Sequence, residues 1–288
     1  MIGFASRAMR PELSRLWQVC FQEPARPADF FLNNCFSPED CLVYRVGETV
    51  AAALYLLPAR VASPAGPVRA HYIYAAATLP RYRGRGYMAS LLACAGMAGA
   101  RRGDRYSAVL PASRGLYDLY AKSGYVSFFR ARSVTVPAER LKEKAAVPFC
   151  GRAVPDFRRL AALRDSCLTG RFGSVLWDAK MLWFAAGMGA VYGDRLVCSP
   201  SGNAYALCRP LDGRCAVLEA MVGRNAFPEL AAALLREMPA PEYRFRLPAD
   251  GLFPGEGTLS EFGMIKPIGG SLPEEIRSDA PYLGMALD

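Results

Sequence analysis

The chain has 288 residues, 52% of them apolar and 21% charged, which excludes intrinsic disorder and is more than one compact core usually holds, so two domains are expected. No apolar run reaches the ~18 residues of a membrane helix, and the first residues carry charge without an apolar stretch, so neither a membrane span nor a signal peptide is read and a cytoplasmic protein is expected. The net charge of +9 comes mainly from arginine, only five of the thirty-five basic residues being lysine; that composition is compatible with phosphate ligands or nucleic acid but selects neither.

In chain order, a strand is expected over 2–9, then a helix near Pro11 with Leu13, Leu16, Trp17 and Cys20 at helical spacing. A Pro-rich connection and the aromatic segment Phe30-Phe31-Leu32 precede strands over 41–46 and 49–57, joined by the turn Gly47-Glu48. A strand over 68–79 runs into Pro80-Arg81-Tyr82-Arg83-Gly84-Arg85-Gly86-Tyr87-Met88, followed by a small-residue helix to about Arg101. A strand over 106–110, a helix over 115–122 opened by Ser113 and a strand over 125–136 close the first half. The charged, proline-flanked stretch 137–150 reads as a linker. The second half shows helices near 155–168, 177–187 and 227–238 and strands near 189–198, 203–210, 214–222, 243–247, 261–266 and 281–287. This alternation predicts α/β (α+β) layers twice over, divided as 1–140 and 141–288.

Nine cysteines, an odd number without a Cys-x-x-Cys pair, and a single histidine, His71, argue against both a disulfide framework and a metal site. The segment Arg81-x-x-Gly84-x-Gly86 between strand and helix carries the chemistry. A helix start leaves backbone N–H groups without intrahelical partners, and together with the helix dipole they form an anion site. Gly84 and Gly86 let the main chain approach a phosphate, while Arg81, Arg83 and Arg85 add charge. A dinucleotide fingerprint would need a third glycine and a P-loop would need Gly-Lys-Ser/Thr, and neither is present.

What remains resembles the pyrophosphate loop of the GNAT superfamily of acyl-CoA transferases. Leu110-Pro111-Ala112-Ser113 through Leu119-Tyr120-Ala121-Lys122-Ser123-Gly124-Tyr125 resembles that family's fifth strand and following helix. The likeness covers about residues 1–136, and the overall layout is similar to tandem-GNAT proteins and to the enhanced-intracellular-survival acetyltransferases. It implies two tandem GNAT-like domains, each a mixed, mostly antiparallel twisted sheet flanked by helices. The first would bind acetyl-CoA as acyl donor, with no metal, and act on a small-molecule or peptide amine; the second, without the loop, would be degenerate. The resemblance implies that the pantetheine arm pairs with backbone of Ala76, Ala77 and Thr78, and that the pyrophosphate sits on residues 81 to 88, including Tyr87 and Met88, near Ser113.

Tyr120 is the implied general acid, with Tyr117 one helical turn earlier as its rival. For the base, His71 lies on the strand face opposite Tyr72 and Tyr74 and far from the loop, which favours a structural role. In the intracellular-survival group a chain-terminal carboxylate serves, which points to Asp288. Phe30, Phe31, Tyr72 and Tyr74 are candidates for either an acceptor pocket or the core; Trp177 and the 181–184 run read as packing. Two alternatives stay open: a tRNA-linked aminoacyl transferase, against which stands the intact loop, and a non-catalytic acyl-CoA sensor.

Overall fold

A computed structural model describes residues 1–145, 153–277 and 280–285. The first half opens with β1 (Ile2–Phe4), α1 (Arg10–Phe21) and α2 (Ala25–Asn34). It continues through β2 (Cys41–Val46), β3 (Thr49–Val61), β4 (Val68–Thr78), α3 (Tyr87–Arg102), β5 (Tyr106–Val109), α4 (Arg114–Lys122) and β6 (Val126–Ser127). Then come β7 (Arg130–Pro137), α5 (Ala138–Lys144), α6 (Phe157–Cys167), β8 (Val175–Leu176) and α7 (Ala179–Val191). Last are β9 (Arg195–Cys198), β10 (Ala204–Leu211), β11 (Arg214–Val222), α8 (Phe227–Glu237), β12 (Glu242–Leu247), β13 (Thr258–Glu261) and β14 (Met264–Pro267).

Two twisted sheets result, each antiparallel except for one parallel pair, β4 with β5 and β11 with β12. The first runs β1-β2-β3-β4-β5-β14-β6 and the second β13-β7-β12-β11-β10-β9. The two orders correspond strand for strand around the parallel pairs. The place beside β5 is filled by β14 from the C-terminal half, and the place beside β12 by β7 from the N-terminal half. The halves have therefore exchanged a strand, and the sheets do not divide the chain at residue 140.

Several expected elements come out differently. The strand read over 125–136 breaks at Phe128-Phe129, whose amides bond to the Gly263 carbonyl, so its first part stays in the first sheet and its second part joins the other. The stretch read as a linker holds α5, whose Ala138 and Leu141 are buried in the second core; residues 146–150 lie outside the described ones. The Pro-rich connection is α2, since Pro27 falls in its first turn, where a missing N–H costs nothing. Strand β1 is only three residues long, α7 runs on to Val191 where a strand had been expected, and Pro281–Met285 is buried without forming a strand.

On one face of the first sheet, α3 covers a core with Leu91, Leu92, Ile73 and Val109. On the other, α1, α2 and α7 share one apolar core that continues into Tyr205, Met221 and Leu283 of the second half. Phe30 of α2 stacks on Phe184 of α7 at 6.1 Å, one of the contacts that join the halves. At the bottom of this shared core lies a buried ion pair, Arg164 of α6 with Glu219 of β11 at 3.1 Å. Arg164 also donates to the carbonyls of Val175 and Leu283, while Glu219 accepts from the Tyr205 hydroxyl and the Met285 amide. Gly284 passes beside this pair at φ +61, where a Cβ would strike Glu219. Removing one partner of a satisfied buried pair strands the other. Glu219→Ala is expected to lower stability by about 3–5 kcal/mol, read from urea denaturation; a loss under about 1 kcal/mol would show that the pair is not holding the tail. Among the described residues no helix is long and apolar enough to cross a membrane.

Candidate active site

Strands β4 and β5 pair only from Ala70–Tyr106 to Tyr72–Ala108. Beyond Tyr72 they separate, and the side of β4 that faced β5 has no strand neighbour. Opposite, β3 pairs Tyr55 with Tyr74 and Ala53 with Ala77, so three steps on β4 answer two on β3. The surplus residue is a bulge, marked by Ala75 at φ +45. A bulge bends its strand and re-aims its neighbours, and here it turns β4 away from β5. Ala76, Ala77 and Thr78 lie along the opened stretch, though the Thr78 carbonyl already accepts from Arg83 Nε at 3.1 Å.

At the wide end of the gap α3 begins. Gly84 and Gly86 have φ of +75 and +78, and a Cβ on either would project into open space. That space is where a phosphate would have to come closest to the main chain. The amides of Gly84 through Ala89 have no hydrogen-bond partner among the described residues; the first bonded one is Ser90, to the Gly86 carbonyl. The Arg83 amide, expected to join this set, is bonded to Pro80. The arginines differ too: Arg81 and Arg85 lie over the Tyr82 ring at 5.0 and 5.7 Å, leaving them at the exposed mouth. Arg83 turns instead toward Thr78 and Cys20 of α1; burial raises the Cys20 thiol, and the Arg83 charge pulls it back in part. Tyr87 contributes its amide, while its ring stacks on Tyr44 at 4.0 Å; Met88 likewise packs its side chain on the core. The residues present thus fit a pyrophosphate.

Across the gap, Ser113 is exposed at the start of α4. Tyr120 on that helix is buried, with its ring edge-on to Tyr125 at 5.5 Å and its hydroxyl unbonded among the described residues. Burial pushes its pKa up to about 12. The rival Tyr117 is engaged: its hydroxyl accepts the Gly263 amide at 3.3 Å. His71 is buried with Nδ1 on Asp104 at 2.9 Å, under α3 at Gly99, and so is held in the core. Asp288 lies outside the described residues.

A cavity of about 520 Å³ opens between the halves. Ala75 at the bulge and Ala112 after β5 are among its lining residues, so it adjoins the β4–β5 gap. Of the aromatic candidates only Tyr74 lines it; Phe31 and Tyr72 are buried, and Phe30 packs on α7. Its polar groups are ones the sequence reading did not single out: Glu23, Tyr192, Asp194 and Arg209. No local motif marks them, because they converge only when the halves dock.

A splayed parallel pair with a bulge and an amide-lined helix start, with Tyr120 packed in the core under α3, accompany a family match that marks the protein as an acyltransferase of the GNAT type. Residues 5–126, rather less than half of the chain, match the model of the acetyltransferase (GNAT) domain. A probable N-acyltransferase from Enterococcus faecalis V583 superposes with a TM-score of 0.71 at 16% identity, over 93% of this chain and 72% of that one. Eis1 from Mycobacterium abscessus gives 0.68 at 16%, over 93% and 74%. A putative acetyltransferase from Pyrococcus horikoshii gives 0.56 at 15%, over 99% and 95%. At these identities the likeness is one of fold, and it spans both halves in the tandem layout. No curated protein matches the chain in sequence.

Proposed function

We propose that the protein transfers an acetyl group from acetyl-CoA to a primary amine of a small molecule or peptide by direct attack on the thioester. The observation that carries this reading is the run of unpaired amides from Gly84 to Ala89 at the open end of the β4–β5 gap, which adjoins the interdomain cavity. Acetyl-CoA would supply the activated acyl group. The Gly84–Ala89 amides, with Arg81 and Arg85, hold its pyrophosphate, and the free edge of β4 at Ala76 and Ala77 aligns its arm. Tyr120, kept protonated by burial, gives its proton to the departing thiolate.

The amine must lose a proton, and the tail is proposed to take it: Met285 lines the cavity, and Asp288 follows three positions on. Deleting residues 286–288 is expected to lower kcat by roughly tenfold or more with an unchanged melting temperature; undiminished turnover would remove Asp288 from the mechanism. The reading as a whole is tested by titrating acetyl-CoA calorimetrically and then following thiol release over a panel of primary amines. Saturable binding and amine-dependent release are expected. Absence of binding would overturn the enzyme, and binding without release for any amine would favour an acyl-CoA sensor.

A further inference from the structure

The cavity's charges are unequally compensated. Asp194 is buried, and both its oxygens accept from Arg209, at 2.8 and 2.9 Å. Glu23 differs. One oxygen, Oε2, accepts from the Trp17 indole at 2.8 Å and from the Tyr192 hydroxyl at 2.9 Å. The other, Oε1, has no partner among the described residues, and Glu23 lines the cavity. Three aromatic rings stand with it: Trp17 lies edge-on to Phe21 at 5.3 Å and to Tyr74 at 5.7 Å, all three on the wall. Met188, Leu207 and Met285 complete an otherwise apolar lining.

We propose that Glu23 determines acceptor specificity: its free oxygen and the aromatic wall seat one ammonium group, so the acceptor is an amine with a single positive charge and an apolar body. This inference rests on the acyltransfer reading for the word acceptor, but the binding preference itself does not. Among the described residues Glu23 is the cavity carboxylate without a counter-ion, and an ammonium group balances it. Aromatic faces attract a cation, and an apolar lining strengthens the attraction by excluding water. A polycation would have to bring its further charges against methionine and leucine side chains, at a desolvation cost that nothing there returns. A volume of about 520 Å³ suits a small molecule. Tyr192 comes from the second half and fixes Glu23, so the seat is incomplete without that half.

The test compares 2-phenylethylamine with its uncharged isostere 2-phenylethanol, titrated into the full chain without acyl-CoA. The native protein is expected to prefer the amine by at least about tenfold, as for a hydrogen bond to a charged group. Glu23→Gln keeps an oxygen to accept from Trp17 and Tyr192 and removes only the charge; it is expected to abolish that preference and leave alcohol binding within about twofold. In turnover the variant raises KM for the amine about tenfold with kcat within about threefold. No preference in the native protein, a preference that survives in Glu23→Gln, or tighter binding of spermidine than of 2-phenylethylamine would each overturn the inference. Acetyl-CoA titrated into the same samples reports separately on the donor site, so a failed donor reading and a failed ammonium seat give different results.

Discussion

Tyr120→Phe is expected to lower kcat about a hundredfold, the lower end of what a positioned proton donor contributes, with acetyl-CoA affinity within about twofold. Burial raises the phenol to about 12, because the anion would lose its water and gain no compensating charge. A raised pKa keeps the group in its acid form, so the Tyr120 proton remains available across the neutral and mildly alkaline range and is lost only near pH 12. Desolvation in the same buried surroundings would raise the basicity of a leaving thiolate as well, and Tyr120 is proposed as the group that protonates it. The phenylalanine keeps the edge-on packing against Tyr125, so stability is expected to change little. Tyr117→Phe is the control: its hydroxyl is occupied by Gly263, and turnover should fall no more than a few-fold. Full activity in the Tyr120 variant, or an equal loss in both variants, would remove the assignment.

The second large effect concerns the loop. The double variant Gly84→Ala, Gly86→Ala is expected to weaken acetyl-CoA binding about a hundredfold or more. Each new methyl enters the open space beside the unpaired amides, where a phosphate oxygen would otherwise sit, and each forces a side chain into left-handed backbone, at about 1–2 kcal/mol per position. Two or more charge-assisted bonds to backbone amides, each worth about 1.5–3 kcal/mol, are thereby lengthened or lost. The loop is exposed, so the fold should persist, which circular dichroism checks directly. Wild-type affinity in a folded double variant would mean that these amides do not hold the donor.

Much of this site is readable in sequence because the loop is local. Arg81 to Met88 bring two glycines and a helix start within eight residues, and in the structure Gly84 and Gly86 take left-handed φ just ahead of α3. The Arg83 side chain departs from that pattern, since its partners Thr78 and Cys20 are set by the packing of α1. The opening of β4 was not legible: Tyr74-Ala75-Ala76-Ala77 reads as an unbroken strand, and the bulge arises from pairing with β3. Helix α2 was hidden by prolines that signal a loop unless one falls in the first turn. Glu23, with phenylalanine and proline around it, carries no motif, and its partner Tyr192 lies far along the chain. Long-range pairing decides the bulge and the Glu23 contact, and periodicity does not encode it.

The reciprocal exchange of β7 and β14 constrains how such a chain can be divided or inherited. A fragment ending near residue 145 would bare the flank of β5, and its complement would bare β12, two sticky borders of the kind that aggregate. Neither piece is a module that could be shuffled alone into another gene. The lobes must mature together, so a nascent N-terminal lobe waits for its missing strand until Met264–Pro267 has left the ribosome.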